Sequence, residues 1–369
     1  MSEETHELFL TAPPGLEDAL QDEAADAGFA ELQSVPGGVI AKGGLSEAWR
    51  ANLVLRGATR VLLRIGSFRA MHLAQLDKRA RKFPWDTWLR QDQPMKVEAT
   101  CRQSRIYHAG AARQRIERAL QESFGLTIAD DAAIRVLVRI EDDLCILSLD
   151  TSGEPLHRRG TKEAVGKAPL RETMAALFLR QCGYDGRETV VDPMCGSGTF
   201  LLEASGLRAG HQPGAHRAFA FEQFAGFDPF AFQSMRTLPA ALPDGIFAYG
   251  YDRDAGAIER SRANAERAGL SERICFETQP ISELTPPEGP PGLLMVNPPY
   301  GGRIGNKRLL FALYGQLGQV LKERFSGWRV GLVTSETSLA RATGLPFLPP
   351  GPPIPHGGLK IRLHRTGRI

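Results

Sequence analysis

The sequence has no pair of cysteines at C-x-x-C spacing. Its five cysteines, Cys101, Cys145, Cys182, Cys195 and Cys275, are scattered and odd in number. That pattern argues against a zinc site or a disulfide framework and for reduced, mostly buried thiols. No metal is expected. The chain also lacks any apolar run approaching the ~20 residues that span a bilayer. Its first ten residues, MSEETHELFL, are acidic and lack the basic start and apolar core of an export signal. Neither a membrane nor export is expected, and the cytoplasm is the default location. There is no long-period repeat and no low-complexity tract. What is present is ordinary for a globular protein, with 42% hydrophobic and 24% charged residues. The 369 residues suffice for two or three domains.

A net charge of +3 conceals an asymmetry. Residues 1–49 carry ten acids and one base, Lys42, for a net of −9, whereas residues 50–120 carry sixteen bases and five acids, for a net of +11. A basic block beside an acidic one suits a phosphate-binding face. A count carries no geometry, so a set of solvated helix faces stays equally open.

Along the first half, strands are expected at 7–11, after Gly37-Gly38, at 60–68 and at 94–100. Helices are expected at about 16–27, 45–56, 72–90 (broken at Pro84) and 107–122. Residues 134–150 read as a hairpin turning near Asp142-Asp143. This layout predicts one or two small α+β units. Residues 151–169, polar and rich in glycine and proline, form the best boundary. Beyond them a helix is expected to begin near Pro169, with Leu170, Met174, Leu177 and Phe178 on one face. Strands at 189–193, 247–252, 274–278, 293–300, 329–334 and 360–365 then alternate with helices at 200–207, 255–269 and 309–325. Apolar strands alternating with helices predict a parallel sheet covered on both faces. Residues 206–245 look like an insertion, and the proline- and glycine-rich stretch 345–358 like an ordered loop.

Three constellations carry chemistry. The first is Asp192-Pro193-Met194-Cys195-Gly196-Ser197-Gly198-Thr199, between an apolar strand and an apolar helix. Open α/β sheets bind ligands at such strand ends, and glycines let a ligand lie on the backbone. The dinucleotide fingerprint needs a third glycine where Leu201 stands, and the phosphate-binding loop needs a lysine that is absent. An acid ahead of the glycines suits a ligand with a cationic amino group, such as the methionine part of S-adenosylmethionine. The second is Asp252, ending the next strand, where a carboxylate can accept both ribose hydroxyls. Asp254 suits the cap of the following helix better, which leaves Asp252 free. The third is Asn297-Pro298-Pro299-Tyr300. Two prolines stiffen the turn, and the Asn297 side-chain carbonyl and the Pro298 carbonyl can hold an –NH₂ group between them. Two acceptors favour a pyramidal nitrogen with its lone pair aimed outward. Tyr300 can stack on the base, and Gly301, Gly302 and Arg303 would extend a mobile basic lip.

DPMCGSGT and NPPY, preceded by HRRGTKEAVGKAPLRETMAA, resemble the bacterial RlmL-type 23S rRNA guanine-N2 methyltransferases, a family also described as N6-adenine-specific DNA methylases. LFLTAPPGLEDALQDEAADAGF and Gly37-Gly38-Val39 are similar to that family's N-terminal region, so the resemblance covers nearly the whole chain. It implies an α/β protein with a ferredoxin-like portion (1–50), a THUMP-like RNA-binding domain (51–155) and a Rossmann-like methyltransferase domain (156–369). It implies S-adenosyl-L-methionine as cofactor, with Asp192, Gly196 and Gly198 on its methionine part, helped by Met194, Cys195 and Thr199. Asp252 would take its ribose and Asn297 to Tyr300 the target base. Many relatives place an acid after the third strand to contact the adenine amine. Here Thr278-Gln279-Pro280-Ile281 leaves that contact to Gln279 or to backbone. The chain ends soon after its expected last strand, so a single methyltransferase module is expected. The partner is RNA, with 23S rRNA first. Methylation of DNA adenine-N6 or of tRNA guanine-N2, or a non-catalytic RNA-binding assembly role, are the alternatives.

Overall fold

Strict alternation of apolar side chains builds the first sheet. Leu8 and Leu10, Val61 and Leu63, Val136 and Val138, and Leu147 and Leu149 are all buried, while the residues between them belong to the other face. In the computed structural model, residues 5–161, 170–237, 244–301 and 307–369 are described. The first elements are β1 (His6–Thr11), α1 (Glu17–Asp26), β2 (Ala30–Val35), β3 (Gly38–Gly43), α2 (Leu45–Val54) and β4 (Arg60–Arg69). They are followed by α3 (Leu73–Ala80), β5 (Met95–Arg102), α4 (Ala109–Phe124), β6 (Ile134–Glu141) and β7 (Leu144–Asp150). The strands form one sheet in the order β2-β3-β1-β4-β7-β6-β5. Only the β5–β6 pair is parallel. The β6–β7 hairpin turns on Asp142 (φ 49°) and Asp143 (φ 63°), the doubly left-handed turn that matches strand twist. The strand–helix pattern allowed one or two small units, and continuous pairing through β1 and β4 makes one.

Next come α5 (Glu172–Gln181), β8 (Val190–Asp192), α6 (Thr199–Arg208), α7 (Pro229–Met235), β9 (Ala248–Asp252) and α8 (Ala255–Arg267). The last elements are β10 (Ile274–Thr278), β11 (Leu293–Val296), α9 (Lys307–Arg324), β12 (Arg329–Thr334), α10 (Thr337–Ala342), β13 (Ile354–His356) and β14 (Leu359–Arg368). The second sheet runs β10-β9-β8-β11-β12-β14-β13. From β8 the chain moves outward to β9 and β10, then returns to β11 on the other side of β8. The crevice between the ends of β8 and β11 is therefore the topological switch point, where open α/β sheets place ligands.

Several expectations need correction. The second sheet is not wholly parallel. β14 runs antiparallel to β12, and β13 antiparallel to β14. The stretch 345–358 contains β13, joined to β14 by a turn on Gly357 and Gly358, both at positive φ. β2 has no regular alternation because its register slips between Ala30 and Gln33, with Glu31 left-handed. The helix expected over 72–90 stops at Ala80, well before Pro84. α5 starts at Glu172 behind Arg171. Pro169, and Gly302 and Arg303 of the expected lip, lie outside the described residues.

The chain folds as two compact units, and neither is contiguous in sequence. One comprises, among the described residues, those of Met1–Ala12, Gln21–Leu156 and Arg217–Thr237. The other comprises, among the described residues, those of Pro13–Leu20, His157–His216 and Leu238–Ile369. The middle of the expected insertion thus belongs to the first unit. There Phe221 stacks on Trp49 (5.9 Å between centroids), and Phe227 and Phe232 meet the same indole edge-on.

α9 lies against the loop after α10 only because residue 318 has no side chain. A Cβ there would overlap the Thr343 carbonyl oxygen, which is backbone and cannot swing away. Gly318→Ala should therefore lower the free energy of unfolding by about 1–3 kcal/mol. Urea denaturation, set against the tolerant Gly315→Ala as control, checks this.

Candidate active site

Val190 and Val191 are fully buried, so β8 delivers Asp192 to the switch point at 2% exposure. The chain then turns on Gly196 (φ 58°) and Gly198 (φ 79°), and Gly198 starts α6. The two glycines differ. A Cβ on Gly198 would press on Ser261, whereas one on Gly196 would meet nothing within 4 Å. The space over Gly196 is open, as a ligand lying on the backbone requires.

Asp252, at the end of β9, is not free. Its Oδ2 accepts from the Gly196 amide and its Oδ1 from the Asp254 amide, both at 3.0 Å. Asp254 does cap α8, accepting from the Gly256 amide at 2.9 Å, so that assignment was right but did not release Asp252. Two further side chains on α8 hold the glycine turn. The Ser261 hydroxyl donates to the Gly196 carbonyl (3.0 Å), and the Asn264 amide to the Ser197 carbonyl (3.1 Å). Both residues are fully buried. Sequence reasoning missed them, although polar residues three apart on a helix's inner face are a readable signal. Gly250 adds to the fit, since a Cβ there would lie 2.5 Å from Leu201 and 2.7 Å from Phe276.

The electrostatics are unusual. Asp192 accepts one hydrogen bond, from the Met194 amide at 3.1 Å. Burial, and secondarily the negative Asp252, push its carboxyl up to about 8. The same burial, together with the charges of Asp192 and Asp252, holds the Cys195 thiol well above its usual range. Cys195 Sγ lies 3.8 Å from Ser261 Oγ.

Across the crevice, the four residues after β11 alternate. Asn297 and Pro299 line the cleft. Pro298 is buried, and Tyr300 is at 0% exposure. The ring face expected for stacking is thus turned into the core. Among the described residues Asn297 Oδ1 is buried without a hydrogen-bond partner, a costly state for an amide carbonyl. Behind the turn, the buried Tyr314 hydroxyl lies 3.4 Å from the Pro299 carbonyl and 3.3 Å from Thr334 Oγ1, tying the turn to α9 and β12.

One cleft of about 280 Å³ joins the three constellations. Pro193 and Met194 come from the first, Asp252 from the second, and Asn297 and Pro299 from the third. Gln279 and Pro280 line it too, and the Gln279 backbone N–H donates to the Asp252 backbone carbonyl at 3.0 Å. Asp192, Cys195, Gly198 and Thr199 lie buried beneath this surface. Arg253, Ile281, Leu313 and Gln316 also line it and were not anticipated. The last two sit on α9, whose contribution depends on the return of the chain to β11. Among the described residues no group of three His, Cys, Asp or Glu is placed to hold a metal. No helix among them is long and apolar enough to cross a membrane.

Comparison with known proteins places this arrangement. Residues 159–345 match the RMKL-like methyltransferase domain. The chain belongs to that family. Residues 7–62 match the RlmL ferredoxin-like domain and residues 70–150 the THUMP domain. A ribosomal RNA large subunit methyltransferase K/L of Syntrophotalea carbinolica is 35% identical over 360 residues, covering 92% of this chain and 50% of the relative. That of Psychromonas ingrahamii is 32% identical over 354 residues, covering 91% and 47%. The chain spans about half the length of these relatives. A protein described as a methyltransferase and crystallised with SAH superposes with a TM-score of 0.88 at 25% identity, covering 100% of this chain and 99% of its own.

The raised Asp192 carboxyl has a stability consequence. A group protonated in the folded state up to about 8, against an ordinary 3.8, stabilises the fold fully below the lower value. That contribution is lost as pH rises through the upper one. Without ligand, the urea midpoint should fall between about pH 4 and about pH 8, and Asp192→Asn should remove part of the fall. An identical pH profile in the two proteins would count against this origin.

Proposed function

We propose that this chain is an S-adenosyl-L-methionine-dependent RNA methyltransferase acting on the exocyclic N2 amine of a guanine, with 23S rRNA as substrate, in the cytoplasm. One observation supports it above the rest. Asn297 lines the same cleft as Met194 and Asp252, and its Oδ1 is a buried acceptor without a donor among the described residues. An aromatic amine brings the missing N–H. The names of the ribosomal RNA methyltransferase relatives and the SAH-bound neighbour agree with this reading.

The residues present fit the cofactor. No cation stands beside Asp192 among the described residues, so an ammonium group would restore its ionised form. Gly196 leaves its backbone uncovered. Asp252 has lone pairs to spare after its two amide bonds, because a carboxylate offers about four. Pro280, Ile281 and Leu313 give apolar walls, with Gln279 beside them. When bound there, the cofactor supplies a methyl group on a cationic sulfonium. Asn297 Oδ1 accepts one amine hydrogen, and the Pro298 carbonyl is the second acceptor the turn offers. Together they turn the nitrogen lone pair toward the cofactor side of the cleft. The stiff Pro298-Pro299 pair keeps these acceptors in place, so positioning rather than proton removal is the protein's main contribution. Asn297 carries no basic group, so the amine proton leaves after transfer. A paired base cannot present its amine here, and the target must be unpaired or flipped. In this reading residues 1–50 and 51–155 deliver RNA, and residues 156–369 perform the chemistry.

Asn297→Ala should reduce single-turnover methylation at saturating donor by about a hundredfold to a thousandfold, with donor affinity little changed. Near wild-type turnover would make the turn purely structural. Asp252→Ala should weaken donor binding, measured by calorimetry, at a cost of about 1.5–3 kcal/mol per charged hydrogen bond lost. Undiminished affinity in the folded variant would remove Asp252 from the site.

A further inference from the structure

The turn from Asn297 to Tyr300 is stiff except at one torsion. The pyrrolidine rings fix φ at Pro298 and Pro299. Each proline also confines the residue before it to extended ψ, which settles Asn297 and Pro298. ψ of Pro299 has no such restraint, because Tyr300 follows it. Rotation there swings the Pro299 carbonyl and re-aims Asn297 and both prolines against the rest of the chain. Turns are usually pinned by their own backbone donors, and Pro298 and Pro299 have no N–H to give.

Tyr314 reaches that carbonyl from α9, the helix whose Leu313 and Gln316 line the cleft. Tyr314 and Thr334 are both at 0% exposure. The Tyr314 hydroxyl lies 3.4 Å from the Pro299 carbonyl and 3.3 Å from Thr334 Oγ1, which accepts from the Glu336 amide at 3.3 Å. One phenol proton faces two oxygens. Both contacts are made at once when the Thr334 hydroxyl donates to the phenol oxygen and the phenol donates to the carbonyl. Water cannot replace either bond at this depth. Burial holds the Tyr314 phenol above its usual range, so it keeps its proton. Both distances are at the long end for hydroxyl bonds, and such bonds tighten when a catalytic site is loaded. The soft torsion is thus fastened from β12 through α9.

We propose that Tyr314 is a positioning residue for methyl transfer. Backed by Thr334, it sets ψ of Pro299, and through it the angle at which Asn297 Oδ1 and the Pro298 carbonyl meet the amine. The proposal rests on the reading that this turn holds the target nitrogen. A phenol that only filled a buried site would support the fold and leave the chemical step alone. A misaimed acceptor pair slows the step, since an error of about 1 Å near a reacting group costs on the order of a hundredfold. Tyr314 and Thr334 lie behind the residues that line the cleft, so donor affinity does not depend on them.

The test is single-turnover methylation of large-subunit rRNA from cells lacking this protein, at saturating donor. Tyr314→Phe removes one oxygen and keeps the ring. It should slow the step by about tenfold to a hundredfold, with S-adenosylmethionine affinity and half-saturating RNA unchanged. Thr334→Val should slow it less, and Thr334→Ser should keep the wild-type rate. Thr334→Val should add little to Tyr314→Phe, because the two hydroxyls act in line. Ile274→Val, buried at the start of β10 and so at the strand end away from the cleft, should lower the urea midpoint without slowing the step. A wild-type rate in Tyr314→Phe would overturn the proposal. So would a loss of rate matched by an equal loss of donor affinity, the mark of a collapsed cleft. Should Tyr314→Phe not fold, equal rates in Thr334→Val and Thr334→Ser would overturn it. If Asn297→Ala is slow while Tyr314→Phe and Thr334→Val are not, only this inference fails. If Asn297→Ala keeps its rate, or the wild-type chain transfers no methyl group to RNA, the functional reading fails and takes this inference with it.

Discussion

The cleft depends on where the Asp252 carboxylate is held. One oxygen takes the Gly196 amide and the other the Asp254 amide. The first bond ties the glycine turn to the end of β9, and the second fixes the start of α8. Ser261 and Asn264 then fasten the same turn from the other side. A turn with two left-handed glycines would otherwise be among the looser parts of the chain, since glycine loses most freedom on ordering. The carboxylate that would receive the ribose is thus the one that shapes the floor beneath the donor. Its removal acts on contact and on scaffold together, which is why donor affinity and fold must be measured separately.

The strand ends were legible because short chemical rules decide them. Val190-Val191 followed by Asp192 and a glycine turn, and an apolar strand running into Asn297-Pro298-Pro299, each read locally. Asp254 as the α8 cap was legible for the same reason. What the sequence hid depends on distant pairing. The half-exposed edge strand β2 carries a register slip at Glu31, and β13 is three residues long between prolines and glycines, so neither shows alternation. The antiparallel course of β14 follows from pairing with β12, which periodicity cannot reveal. The inward turn of Tyr300 was hidden because an aromatic after two prolines can serve a ligand or a core equally. Leu313 and Gln316 reach the cleft only because α9 follows the return of the chain to β11.

The insertion shows how far local reading can mislead about domains. Residues 217–237 follow three elements of the second unit, yet Phe221, Phe227 and Phe232 complete the aromatic cluster around Trp49 in the first. Residues 13–20 belong, conversely, to the second unit. Cutting the chain near residue 160 would strip these phenylalanines of their partner and expose them. The first unit cannot finish its core until residue 237 has been made, which raises the loop-closure cost that folding must meet before these contacts form. Function is therefore better dissected by point substitution than by truncation.

Two unmet demands remain in the crevice, at the ends of adjacent strands. Among the described residues, Asp192 is a buried acid with one amide bond and no cation, and Asn297 Oδ1 is a buried acceptor with no donor. Native interiors rarely leave an acceptor such as Asn297 Oδ1 unsatisfied, so it describes a missing N–H, whereas a cation beside Asp192 would restore the ionised form that burial disfavours. On the proposed reading these are the ammonium of the donor and the amine of the base. Asn297 alone does not choose between bases. Guanine N2 and adenine N6 each present two hydrogens, so an acceptor pair serves both alike. They differ at the neighbouring ring nitrogen, a donor in guanine and an acceptor in adenine. Gln316, the cleft-lining amide on α9, can serve either. Choice of target must then come largely from which unpaired base the bound RNA brings to the cleft, and so from the surfaces that hold the RNA outside it.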